Sequence, residues 1–400
     1  MDLIFKSQDF LCLLIVPIMF VTIQQVKENW VSLWDDNLTS KDRAVLLQAS
    51  LFLLEPLVVL CHELGHAAAT VAFGGKVVEF HFAILSGYVV PEGDFNQVQL
   101  LLIYLAGNAV TISIGYLCLL CALFVRSPAR VAVLVYLGMW SIASSAVFYT
   151  LMSLLGFYGD WIAIYTSPEH NLVYMVAACH VVIVASLAYL LMGKKPRLWF
   201  ACKTRPTWAL KFLVLGKELT SSPNKQTLMK LAWLCYEANL NDFAREYANK
   251  CLEQDSEDPD PQILLGHIDL SRQKFDKAQA AFERVAKSER SSELLKARAY
   301  MFIAQTRLVR SEVERRDPEI ANQEALQSYA YACGVAPNLG DPYFRHAELL
   351  NKLGHYSDAL VEFEALEERI QADSLNWLDP TLPRKVSAQL RIAASRHPGT

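Results

Sequence analysis

The chain has 400 residues, 53% of them hydrophobic, and a mean hydropathy of +0.21, which excludes an ordinary soluble protein of comparable length. Its formal net charge of -4, with no basic stripe or markedly basic domain, argues against a nucleic-acid partner. Nine Cys, an odd number and several of them in apolar runs, exclude a secreted disulfide framework. The lone Cys118-x-x-Cys121 pair has no second pair near it and reads as two small buried hydrophobes.

Charge divides the chain at Gly193. Residues 1–193 hold 7 Lys/Arg and 13 Asp/Glu, and residues 194–400 hold 30 and 28. A bilayer core of about 30 Å takes about 20 apolar residues as a helix. Five segments of the first part meet or approach that length: 9–26, 44–73, 98–125, 131–155 and 171–192. The first is flanked by Asp2 and Asp9 and interrupted by Pro17, so it reads as a retained helix rather than a signal peptide. Lys27, Lys41 and Arg43 precede the second segment, Arg126 and Arg130 separate the third from the fourth, and Gly-Lys-Lys-Pro-Arg (193–197) follows the fifth. The two remaining loops carry Lys76 alone. This bias places the N-terminus outside and the second half of the chain in the cytoplasm.

The second segment contains VVLCHELGHAAATVAFGG, residues 58–75. His62 and His66 are four apart, offset by about 40° on a helix, so both imidazoles reach one ion. Glu63 stands where a carboxylate takes a proton from metal-bound water, the general-base role of HExxH helices. Ionisable residues inside an apolar span are functional candidates by default. A zinc ion with an open position needs a third protein ligand. Asp160, flanked by Gly156 and Gly159 beyond the outer end of the fourth span, meets that need best; Glu55, His81, Asp94, Glu169, His170 and His180 compete with it. Glu55 lies two turns deeper on the same helix, where it lines the cavity or pairs with Asn108, and His180 reads as a hydrogen-bonded core residue. Residues 76–95 are strand-like with Gly87 at a turn, a re-entrant hairpin whose edge is suited to holding an extended peptide.

The order of HELGH on an apolar helix, Phe-Gly-Gly after it, a strand-like insert, Leu-Ala-Gly-Asn (105–108) and a glycine-flanked Asp resembles the site-2 protease family of intramembrane zinc metalloproteases, especially its compact bacterial branch, over residues 44–165. The resemblance implies a zinc ion on His62, His66 and Asp160, Glu63 as the base, and Asn108 near the site. The chain departs from the family at Asp160, which lies in Gly-Asp-Trp where the family has Leu-Asp-Gly.

Residues 194–224 form a basic, aromatic juxtamembrane linker. Beyond it, Leu231-Ala232, Ala244, Ala248 and Cys251 recur 34 residues later as Leu265-Gly266, Ala278, Phe282 and Val285; Ala325, Tyr329 and Ala332 recur as Ala359, Phe363 and Leu366. The pattern resembles tetratricopeptide repeats over 225–372, with an insertion at 311–321 and a capping helix and tail at 373–400. The expected fold is thus all-α: a polytopic bundle of about five transmembrane helices with a small strand-like insert (1–193), and a cytoplasmic α-solenoid. The leading function is an integral-membrane zinc endopeptidase acting on membrane-anchored protein or peptide, with the repeats holding substrate or a protein partner. Its alternative is a catalytically inactive membrane scaffold acting through the repeats. A transporter is disfavoured, since the first half shows no internal repeat.

Overall fold

The computed structural model of the chain describes residues 2–35, 38–156 and 159–396, with side chains from residue 15 onward. Two compact units divide it, Met1–Leu213 and Val214–Thr400, the division lying within residues 194–224. Among the described residues both units are helical apart from one hairpin and an isolated bridge between Leu339 and Asn376.

In the first unit, helix α1 spans Asp2–Glu28. The expected span over 9–26 falls within it; its side chains up to residue 14 lie outside those described. Helix α2, Ser40–Ala72, opens on a reciprocal cap in which the Thr39 hydroxyl accepts from the Asp42 amide and the Asp42 carboxylate accepts from the Thr39 amide. It widens into a π turn over Ser50–Leu54 just before Pro56, whose missing N–H interrupts the ladder there. Strands β1 (Lys76–Phe82) and β2 (Gly87–Glu92) pair antiparallel from Lys76↔Glu92 to Phe82↔Gly87, with an irregularity between Val77 and Glu79. The turn is made by residues 83–86, and Gly87 is the first residue of β2 rather than part of the turn.

Helix α3 (Gln97–Phe124) begins with a second reciprocal cap, between Asn96 and Gln99. Helix α4 (Pro128–Leu154) carries a π turn at Ser144–Tyr149. The short helix α5 (Asp160–Tyr165) and the long α6 (His170–Met192) follow. By length and composition, α2, α3, α4 and α6 are long and apolar enough to cross a bilayer. Helices α3 and α4 meet where a Cβ on Gly115 would lie 2.9 Å from the Gly138 carbonyl and one on Gly138 would lie 2.7 Å from the Gly115 carbonyl, so two backbones touch there. The expected linker is itself folded, as α7 (Lys194–Thr204), packed on α4 and α6, and α8 (Pro206–Ser221).

The second unit stacks four helix pairs: α9 (Lys225–Glu237) with α10 (Asn241–Gln254), α11 (Pro259–Ser271) with α12 (Phe275–Lys287), α13 (Glu293–Glu314) with α14 (Pro318–Val335), and α15 (Gly340–Leu353) with α16 (Tyr356–Gln371). The residues that recur at 34 are its interior: Ala244, Ala248, Cys251, Ala278, Phe282, Val285, Ala325, Ala359 and Phe363 are fully buried. Small residues let the paired helices touch; a Cβ on Gly266 would lie 2.5 Å from the Phe282 ring. The insertion lengthens the third pair, to 22 and 18 residues. Helix α17 (Leu382–Arg396) closes the stack through Leu382, Val386 and Ala393, and the Asp341 carboxylate accepts from the amides of Leu378 and Asp379 on the way to it. Pro380 and Pro383 fall at this closure, whereas the end of the expected tail, residues 397–400, lies outside the described residues.

Candidate metal centre

Three side chains from two distant parts of the first unit converge. The Nε2 atoms of His62 and His66 lie 3.0 Å apart, and each is 3.1 Å from Asp160 Oδ2. Among the described residues, this is the one group of three His, Cys, Asp or Glu with donor atoms close enough to share an ion. Donors at 2.0–2.1 Å from a tetrahedral zinc are about 3.3 Å apart. The triangle therefore fits such an ion with shifts of a few tenths of an ångström. Without a shared cation, two ring nitrogens at this distance need a proton between them.

The rings are aimed from behind. His66 Nδ1 lies 2.7 Å from the Ile103 carbonyl, which only accepts, so Nδ1 donates and the Nε2 lone pair faces the cluster. His62 Nδ1 is 3.0 Å from Thr111 Oγ1, which performs the same service as an acceptor. Both partners are on α3, and Gly107 of that helix makes the room: a Cβ there would lie 2.3 Å from His66 Nε2 and 2.7 Å from His62 Nε2. Gly65 brings the helices together, since its Cβ would meet the Ala106 carbonyl at 3.0 Å.

Asp160 is held by the start of α5. Its amide donates to the Tyr149 hydroxyl at 3.0 Å, and the next residue, Trp161, is buried with its indole N–H on the Ser145 carbonyl at 2.9 Å. The Trp in Gly-Asp-Trp thus anchors the carboxylate that precedes it. Asn108, fully buried, donates to Asp160 Oδ2 at 3.3 Å and accepts from Ser145 Oγ at 2.9 Å. Glu63 is buried beside this group, and Gly87 lies against it: a Cβ on Gly87 would be 2.6 Å from Glu63 Cγ. Three protein donors would leave a tetrahedral ion one position for solvent or another donor.

The remaining candidates are elsewhere. Glu55 is buried and accepts from Ser141 (2.9 Å) and Ser144 (3.2 Å), not from Asn108. His180 is tied to the Ala146 carbonyl at 2.6 Å and to Tyr165 at 2.5 Å. His81 stacks on Tyr88 in the hairpin, and Asp94, Glu169 and His170 are not in the cluster. Thr111, Gly107, Tyr149 and Trp161 are the contributors that sequence reasoning misses. Of these, Gly107, within Leu-Ala-Gly-Asn, and Trp161, within Gly-Asp-Trp, stood in motifs already noticed.

No protein-family model matches the chain, and no curated protein matches it. Among solved structures it is similar to the crystal structure of YrrB, a TPR protein with an unusual peptide-binding site, at 16% identity and a TM-score of 0.30, over 46% of this chain and 93% of that one. It is also similar to yeast Tom70, at 15% identity and a TM-score of 0.34, over 76% of this chain and 59% of that one. The comparisons return tetratricopeptide-repeat proteins and no protease family. They correct the assignment to the site-2 protease family, and with it the reading of the chain as an endopeptidase. A convergent donor set can hold an ion, and a reaction needs more than that set.

Proposed function

We propose that the chain is a membrane-embedded scaffold. Its apolar unit anchors it and holds a divalent ion, zinc by its donor chemistry, on His62, His66 and Asp160; its repeat unit stands in the cytoplasm and engages a protein partner. The observation that carries this reading is the pairing, in one chain, of four long apolar helices with a stack of four helix pairs that has its own core. The apolar helices turn large side chains outward, among them Leu120 at 53% exposure and Val181 at 69%, which water penalises and lipid does not. The ion ties α2 to α5 across 94 residues of chain and removes the cost of burying a carboxylate beside two imidazoles.

Two measurements test this. Metal analysis of the full chain, purified in detergent without chelator, is expected to find one zinc per chain; its absence, together with no uptake on adding zinc, overturns the metal centre. Cross-linking mass spectrometry in native membranes is expected to find a discrete protein adduct on the repeat helices that is lost with Phe344→Asp, a change that breaks the fourth pair's core. Adducts confined to the apolar unit would overturn the scaffold reading.

A further inference from the structure

The elements that follow the last apolar helix form a second membrane contact of a different kind. Helix α7 begins two residues after α6 ends, and three contacts fix it at one end of the bundle. Lys203 Nζ donates to the carbonyls of Leu123 (3.0 Å) and Val125 (3.2 Å), the last turn of α3 and the residue beyond it. The Phe200 ring meets Tyr136 of α4 at 5.8 Å between centroids. Helix α7 also packs on α6. This is the end of the bundle where Arg126 and Arg130 join α3 to α4; the loops at the other ends of these helices carry Lys76 alone.

From Lys194 to Lys217 the chain has seven Lys/Arg and no Asp or Glu. Helix α8 adds an apolar stripe. Leu210, Leu213 and Val214 occupy positions i, i+3 and i+4, and they are 65%, 65% and 57% exposed, with Lys211 and Lys217 exposed along the same helix. Trp208 of α8 faces inward instead. An outward stripe of leucine and valine with Lys211 and Lys217 beside it, and Glu218 as the one acid on the helix, matches the boundary of a bilayer, where acyl chains meet anionic headgroups.

We infer that α7 and α8 form an interfacial platform for anionic phospholipid, with the apolar stripe of α8 set among the upper acyl carbons and its lysines among the phosphates. The platform rests on the membrane reading of α2, α3, α4 and α6. It adds a surface selective for lipid charge, which the spanning helices do not possess. Charge complementarity favours lipid over a second copy of this chain, whose own α8 is equally basic.

The test uses the full chain in nanodiscs of phosphatidylcholine alone or of an equal mixture with phosphatidylglycerol. A photoactivatable benzoylphenylalanine replaces Leu213 in one variant and Leu120, on the outer face of α3, in another. Leu213→benzoylphenylalanine is expected to give lipid adducts whose yield rises several-fold with phosphatidylglycerol, a rise that Lys211→Glu with Lys217→Glu abolishes; Leu120→benzoylphenylalanine should label lipid equally in both discs. Lipid adducts at 120 but none at 213, or adducts at 213 to this chain's own peptides, would overturn the platform and leave the membrane reading standing. Lipid adducts at neither position would overturn both.

Discussion

Gly107 and Gly266 use the same steric device in the two units, with opposite occupants. A Cβ on Gly107 would strike the ring nitrogens of His66 and His62; a Cβ on Gly266 would strike the Phe282 ring. In the apolar unit the missing side chain makes room for donors, and in the repeat unit it makes room for hydrocarbon. The difference is one of what each unit must specify. Apolar surface is abundant along α2 and α3, so the scarce thing is a place where polar atoms meet. The repeat unit is rich in charge, so the scarce thing is a dry core.

If this contrast holds, damage in one unit should leave the other intact. The largest effect is expected from His66→Ala, which should take zinc content of the purified full chain from one equivalent to background while the thermal transition of the repeat unit stays in place. Next, Phe282→Ala empties a fully buried ring site and should destabilise the repeat unit by about 3–5 kcal/mol in denaturant titrations, with zinc content unchanged. A loss of zinc in that variant would break the comparison.

A third prediction concerns pH. His267 is packed among Trp233, Tyr236, Phe282 and Phe302; burial, with the Arg298 guanidinium adding to it, pushes its imidazole down from 6.5 to about 4. The native state therefore favours the neutral ring, and the unfolded chain binds the proton more readily. Stability is fully present above about pH 6.5 and is lost as pH falls toward 4, by about 3 kcal/mol over the window. Unfolding of the repeat unit followed against pH should show this loss, and His267→Phe should flatten it. The smallest effect is expected from Thr111→Val, which keeps the shape of α3 but removes the support behind His62. Zinc affinity, measured by competition with a chelator, should weaken by about 10–100-fold. An unchanged affinity would show that Thr111 does not aim the ring.

Much of this was legible from residue order. HELGH puts its imidazoles on one helical face because of the 3.6-residue period, and Asp160 emerged from chain topology and its flanking glycines. The 34-residue recurrence named the interior of the repeats, since the same position in each pair meets the same neighbour. Other features were misread for physical reasons. Gly87 was placed in a turn, but it begins β2 because the space over Glu63 admits no side chain. Glu55 was offered Asn108, but two serines on α4 reach it first, and Asn108 is taken by Asp160 and Ser145. The insertion at 311–321 falls within the third pair, where it supplies the end of one helix and the start of the next on either side of a turn at 315–317. The family assignment drew on motif order, which records where donors stand and not what is done with them.

Sequence by itself determined that this chain has an apolar half and a repeating half, because composition and period are properties of residue order alone. It also determined that two histidines share a face, because helical geometry is local. Tertiary structure alone decided which carboxylate joins them, since 94 residues separate Asp160 from His66 and only the packing of Trp161, Tyr149 and Asn108 brings its oxygen to 3.1 Å. It decided too that the basic linker is two helices with an outward apolar stripe, because the exposure of a helix face depends on what the rest of the chain leaves uncovered.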